Sequence, residues 1–353
     1  MRAGRTQRLV RPGKSGDRYI CALTEAVDWS VSPSVAWERC SWFEVTVNRL
    51  AVRADVAIVA RVVVLEHLDT VPDGVLAAFG VAGVVPVRLP GGQGTTWRAG
   101  QVVLKPADSV RAGRWFAEVY DGLVGPGFRV PRPVRAVSGD WIALGWTCWQ
   151  WVTGAAADWS GVSPRWPELV AVSRALHAAL ADVPVPPWRG TEENPWVIGD
   201  QVAWGERDPG ALLGPAAGQL AGQVRLLLAA LRPVGLPGQL IHADLAGNVL
   251  FADGMPAAVI DFSPLERPAG LPLAVVAVDA LQWHQALPEV LDQLADEPEL
   301  DQLLARALIY RHVTEIVRRA GTPGIDRVAR TGQPVTDLVL ARLARRRRNE
   351  SAH

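Results

Sequence analysis

Ile241-His242-Ala243-Asp244-Leu245-Ala246-Gly247-Asn248-Val249-Leu250-Phe251 is followed shortly by Val259-Ile260-Asp261-Phe262-Ser263-Pro264. The pattern is apolar run, polar loop, apolar run, turn (Ala252 to Pro256), apolar run, and then a second aspartate. Short apolar runs bounded by turn residues predict buried strands. Asp244, Asn248 and Asp261 then fall at strand ends and in the connecting loop, where their side chains can converge. Two carboxylates and an amide oxygen are hard ligands, suited to Mg²⁺ and to orienting a hydroxyl rather than to Zn²⁺.

His242-x-Asp244…Asn248 followed by Asp261-Phe262 resembles the catalytic loop and metal-binding aspartate of the protein-kinase-like phosphotransferases. Within them it is most similar to the bacterial aminoglycoside phosphotransferase (choline kinase-like) branch. The spacing departs in one place: the asparagine comes four residues after Asp244 instead of five, and Gly247 is expected to relax the shortened turn. The resemblance covers about residues 73–345 and implies an α+β, two-lobe fold, with a small β-rich N-lobe and a larger, mostly helical C-lobe. Residues 71–151 would be the nucleotide-binding lobe, 152–345 the lobe with the catalytic loop and acceptor site, and 346–353 a basic tail.

Upstream of the loop the order of features is consistent with this resemblance. Val84 to Leu89 alternates like a strand, Pro90-Gly91-Gly92-Gln93-Gly94-Thr95 is a glycine loop, and Gln101 to Lys105 is a second strand. Glycines let backbone N–H groups approach phosphates without obstruction by Cβ. The chain has only two lysines, Lys14 and Lys105, so the one at a strand end stands out. Lys105 occupies the place of the family's phosphate-binding lysine. Glu118 follows 13 residues later in a helical stretch, Ser109 to Leu123, and the resemblance makes it the lysine's partner. Trp149 to Gly154 falls where the inter-lobe hinge would lie, with Trp149 or Trp151 as a wall for an adenine.

The resemblance thus implies an ATP- and Mg²⁺-dependent transfer of the γ-phosphate to a hydroxyl of a small molecule. Gly91, Gly92, Gly94 and Thr95 would cover the phosphates, Lys105 and Glu118 would grip them, and Asn248 and Asp261 would hold Mg²⁺. Asp244 would act as base, with His242 bracing the loop. The alternative is a catalytically weak kinase-like protein that binds nucleotide for regulation.

Composition narrows the setting. The 353 residues carry equal numbers of acidic and basic side chains, so no global field argues for nucleic acid. Residues 155–345 hold 15 arginines and 22 acids, whereas 73–154 are slightly basic, a split that would suit a cationic acceptor. Three cysteines without metal-like spacing suit a reducing compartment, and no apolar run approaches a membrane span, so a cytoplasmic protein is expected. Residues 1–70 carry no motif and are expected to be either a loosely ordered extension or a mis-assigned start.

Further along, helices are expected over Trp166 to Leu180, Gly218 to Leu231, Leu273 to Trp283, Leu303 to Arg319 and Val335 to Leu343. Val183 to Gly205 reads as irregular and Pro264 to Pro272 as a turn-rich loop. Asp279, an acid in an apolar helix, needs a partner and is read as a structural brace. The six acids of Glu289 to Asp301 are read as a solvated face or an acceptor-side rim.

Overall fold

The computed structural model describes residues 18–21, 43–46, 70–90 and 94–351. Most of the expected N-terminal extension lies outside the described residues; what is described there is an antiparallel pair, β1 (Arg18–Cys21) with β2 (Phe43–Thr46). The chain divides into two compact units. One runs to Asp121 and takes in Arg132–Trp151; the other comprises Gly122–Pro131 and everything from Val152.

The first unit is built on a five-stranded antiparallel sheet. Its strands are β3 (Val87–Arg88), β4 (Trp97–Ala99), β5 (Val102–Pro106), β7 (Ile142–Ala143) and β8 (Trp146–Gln150), in the order β3-β4-β5-β8-β7. Period-two alternation puts Trp97, Leu104, Trp146 and Cys148 into a core closed by Val75, Leu76 and Phe79, which belong to or directly follow α1 (Asp73–Ala78). Asp73 sits in the first turn of α1, where its charge favours the helix N-terminus. The alternation that buries Leu104 turns Lys105 to the other face. On the far side, α2 (Val110–Gly122) sets Ala117 against Ala107, Trp141 and Ile142.

The second unit has two small sheets and a helical body. One sheet has the order β6 (Phe128–Arg129), β12 (Met255–Val259), β11 (Val249–Ala252) and β9 (Ala155–Ala156). The other pairs β10 (Gln239–His242) with β13 (Pro264–Arg267). That strand replaces the turn-rich loop expected over 264–272: Pro264 starts the strand, where its missing N–H is tolerated. Gly154, at φ 148°, lies so close to Leu250 and Phe251 that any Cβ would collide with backbone, which allows the chain entering β9 to lie along β11.

The helices are α3 (Trp166–Leu180), α4 (Pro195–Ala203), α5 (Gly218–Ala230), α6 (Leu271–Trp283), α7 (Leu300–Arg319) and α8 (Gly324–Ser351). α6 is apolar nearly all round and buried along most of its length, as a helix at the centre of a bundle must be. α4 was read as irregular because of its prolines. Yet Asn194 caps it, accepting from Val197 N–H at 3.0 Å, and Pro195 sits at the first helical position, where its lack of an N–H costs nothing. α8 likewise runs through Pro334 instead of starting after it, and it carries the expected basic tail as its last turns. Three of the six acids in 289–301 are structural: Glu297 pairs with Arg174, Asp301 with Arg342 and Glu299 with Arg346. Among the described residues, no helix is long and apolar enough to cross a membrane.

α4 lies hard against α7 at Gly199. A Cβ there would stand 2.6 Å from both the Tyr310 carbonyl oxygen and Thr314 Oγ1. Gly199→Ala should therefore lower unfolding stability by about 1–3 kcal/mol, because backbone cannot give way as a flexible side chain can. A urea midpoint equal to that of the wild type would refute this account of the α4–α7 contact.

Candidate active site

β10 delivers His242 into the core of the second unit, where it is fully buried. Its Nδ1 accepts the backbone N–H of Asp244 at 3.2 Å, so the proton resides on Nε2, which donates to the Ile260 carbonyl at 2.8 Å. The residue after Ile260 is Asp261. One imidazole thus fixes the backbone beside both aspartates. The histidine's own N–H is also used: it donates to His177 Nε2 at 3.1 Å, and His177 Nδ1 in turn donates to Ser173 Oγ at 3.2 Å. His177 is thereby a buried packing residue, and it supports the loop from below. Phe262 meets the His242 ring edge-on at 5.5 Å between centroids.

The shortened loop closes without help from Gly247, which has neither a positive φ nor a close neighbour that would require glycine. Asn248 N–H instead donates to the Leu245 carbonyl at 3.1 Å, forming a tight turn, and Trp159 Nε1 holds the Ala246 carbonyl at 2.7 Å. Asn248 Nδ2 donates to the Asp244 carbonyl at 2.8 Å and lies 3.4 Å from Asp244 Oδ2. Two acceptors on that side fix the amide's orientation and leave Oδ1 facing the other way, available to a cation. The backbone carbonyl of Asn248 accepts Ile260 N–H at 2.9 Å, so the loop and the strand before Asp261 are stitched together twice.

Asp261 itself is exposed and sits at φ 52°. The left-handed region costs a non-glycine residue about 1–2 kcal/mol, and Asp tolerates it better than most. Such strain persists only where the surroundings impose it, and it clusters at working sites. The His242 bridge and the Asn248–Ile260 bond thus set the backbones of Asp244, Asn248 and Asp261 beside one another on one loop-and-strand frame. That donor set fits a hard cation that takes its remaining ligands from elsewhere, and among the described residues no group of three His, Cys, Asp or Glu side chains could hold a metal by itself.

Asp244 has a partner that the sequence did not disclose. Arg311, on α7, donates through Nη2 to Asp244 Oδ1 at 2.7 Å. The same guanidinium holds Asp279 of α6, with Nε 3.0 Å from Oδ1 and Nη2 2.5 Å from Oδ2. Burial pushes the Asp279 carboxyl up and the Arg311 cation pulls it back, while the two acids hold Arg311 well above its ordinary value. Asp279 does brace the loop, but through Arg311 as intermediary. The available signal was an arginine set among the largely buried residues of α7, between Tyr310 and His312.

In the first unit, Lys105 lies on the central strand β5, paired with Thr147 across β8; its carbonyl accepts the Thr147 hydroxyl at 3.2 Å. Glu118 is exposed on α2, where its charge acts on Arg114. Gly94, at φ 72°, and Thr95 lie in the hairpin loop between β3 and β4, while Gly91 and Gly92 fall outside the described residues. Trp149 packs inside the unit, donating to Thr147 Oγ1 and meeting Tyr120 edge-on. Trp151 donates its N–H to the Gln101 carbonyl and carries Arg98 over its ring at 4.0 Å.

The chain is α+β, with a sheet-based N-terminal unit and a helical unit that carries this loop. The model of the phosphotransferase enzyme family matches residues 89–265, half of the chain, and the chain belongs to that family. No curated protein matches it. Among solved structures it is similar to a spectinomycin phosphotransferase in complex with ADP and spectinomycin, at 13% identity over 76% of this chain and 95% of that one, with a TM-score of 0.48. An amicoumacin kinase in complex with AMP-PNP and Ca²⁺ gives 15% identity, 80% and 93% coverage and a TM-score of 0.49. A thermostable mutant of an aminoglycoside phosphotransferase gives 17%, 77% and 98%, and 0.47.

Three buried histidines tie this unit to pH. Burial lowers His177 to about 3 and His312 to about 4, and it lowers His242 as well. Above the ordinary value of 6.5 these groups are neutral folded or unfolded. Below it, the unfolded chain binds protons that the folded chain refuses, so stability falls as acid is added, by about 1.4 kcal/mol per pH unit for each such proton. The urea midpoint should drop between pH 7.5 and 5.5, a window above the carboxylate range, and less steeply in His177→Gln. A flat profile would contradict the assignment.

Proposed function

We propose that the chain transfers the γ-phosphate of ATP to a hydroxyl of a small molecule, with Mg²⁺, in the cytoplasm. The observation that carries this reading is the His242 bridge, which anchors Asp244 and Asp261 from a single buried ring. Phosphoryl transfer demands positioning and charge neutralisation more than covalent chemistry, and a pre-set pair of carboxylates supplies positioning.

In this reading Asp244 orients the acceptor hydroxyl and takes its proton. Arg311 points Oδ1 in one fixed direction, leaving Oδ2 for the hydroxyl. Asn248 Oδ1 and the Asp261 carboxylate would hold Mg²⁺. The metal, when bound, neutralises charge on the phosphate oxygens. Lys105 would grip the phosphates with Glu118 as its support, and Gly91, Gly92, Gly94 and Thr95 would cover them.

A second reading, a kinase-like protein that binds nucleotide with little transfer, draws support from the guanidinium already on Asp244 and from the four-residue spacing to Asn248. Asp244→Asn separates the two. Under the first reading it cuts turnover by about 10²–10⁴-fold, the span of a general base, while Mg²⁺·ATP still raises the melting temperature. At 100 times its dissociation constant a bound ligand adds about 2.7 kcal/mol of stability. That gain should vanish in Lys105→Ala and in Asp261→Asn. Retained activity in Asp244→Asn would remove Asp244 from the role, and no Mg²⁺·ATP shift in the wild type would sink nucleotide binding altogether.

A further inference from the structure

A cavity of about 490 Å³ opens in the second unit beside the catalytic loop, with Ala246 of that loop and Arg311 among its lining. Its size is that of a small-molecule site. Two indoles form part of its wall, Trp196 from the start of α4 and Trp283 from the end of α6, and they stand 37% and 39% exposed. Both would normally bury more of so large an apolar surface, and their exposure at one cavity marks a face awaiting a ligand.

The charges around this cavity run opposite to those of the region that contains it. Four arginines line it, Arg311, Arg318, Arg319 and Arg327, against two acids, Asp279 and Glu315. Neither acid is uncommitted: Asp279 is held by Arg311, and Glu315 is shared between Arg318, at 2.9 Å, and Arg319. Arg318 also lies 5.7 Å from the Trp196 ring centroid. Arg327, exposed on the second turn of α8, has no carboxylate partner among the described residues. The lining therefore keeps two positive charges in excess, with a guanidinium fork free to bind. The other acids of residues 155–345 lie away from the cavity, several of them in pairs with Arg174, Arg342, Arg346 and Arg267. None of these pairs lines the cavity.

We propose that the acceptor is an anionic hydroxyl compound whose carboxylate or phosphate is held by Arg318, Arg319 and Arg327, with its carbon skeleton lodged between Trp196 and Trp283. This rests on the phosphotransferase reading and gives that reading a substrate class. Guanidinium forks bind planar or tetrahedral oxyanions through paired N–H donors, and here they do so beside an apolar wall that excludes water. A cationic acceptor would need a free carboxylate, and the lining has none to offer. The regional surplus of acids, which favours a cation when only the sequence is read, does not reach the place where an acceptor would sit.

The test uses the full chain without nucleotide, following intrinsic tryptophan fluorescence while inorganic phosphate is titrated at constant ionic strength. Saturable quenching is expected, with an affinity about tenfold weaker in Arg318→Ala and in Arg327→Ala, and unchanged in Lys105→Ala, which excludes the nucleotide site as the source. Arg327→Lys should recover only part of the loss. Phosphate binding that does not saturate, or that is indifferent to both arginine variants, would overturn the proposal. So would binding of the polycation kanamycin that is abolished by Glu315→Gln. The Mg²⁺·ATP thermal shift decides the phosphotransferase reading separately: phosphate binding without that shift removes the kinase reading, and the shift without phosphate binding removes the anionic acceptor alone.

Discussion

The two ring nitrogens of His242 set the terms for the second unit. A neutral imidazole can accept on one side and donate on the other, and burial is what keeps it neutral. Accepting from Asp244 N–H and donating to the Ile260 carbonyl, it couples the end of β10 to the end of β12 across a distance that no backbone ladder spans. A lysine or arginine could only donate, and an aspartate could only accept. The choice of residue follows from that two-sided demand, and so does the supporting His177–Ser173 relay, which satisfies the remaining N–H without introducing charge.

Electrostatics in this unit follow a rule of nearest commitment. The acids are numerous, but Asp279, Glu297, Asp301 and Asp200 each meet an arginine at 3 Å or less, joining helices to one another, to the turn before α7 or to β13. Summed charge over a stretch of sequence is therefore a poor guide to the field in any one cavity. What counts is how the cations stand once the structural pairs have formed: on this surface Arg318 and Arg319 share the single carboxylate of Glu315, and Arg327 has no carboxylate partner among the described residues.

Most of the long elements could be read in the sequence. The helices α3, α5, α6 and α7 follow from apolar spacing because their packing faces are wide and their ends lack conflicting signals. The strands flanking the loop follow from short apolar runs, and the placement of Asp244, Asn248 and Asp261 on one frame was legible from their spacing. The misplaced elements share one physical cause: proline breaks an element only where its position matters, and at three places here it is harmless. At Pro195 it opens a capped helix, at Pro264 it starts a strand, and at Pro334 a long helix tolerates it because packing outweighs one lost bond. Arg311 was invisible for a different reason. Its role exists only when α6 and α7 lie side by side, and no local pattern encodes the meeting of Asp279 and Asp244 on one guanidinium.

Apart from the contacts of Arg311 and Asn248 with the Asp244 carboxylate, the bonds that hold the catalytic turn end on main-chain atoms: Asp244 N–H, the carbonyls of Asp244, Leu245, Ala246 and Ile260, and the pairing of Asn248 with Ile260. A frame fastened by its backbone is indifferent to the identity of the side chains strung along it. Leu245 is held in the core, but the side chains at 246 and 247 can change without unfastening either end, and the chemistry at the tip can be retuned while the architecture beneath it stays where it was.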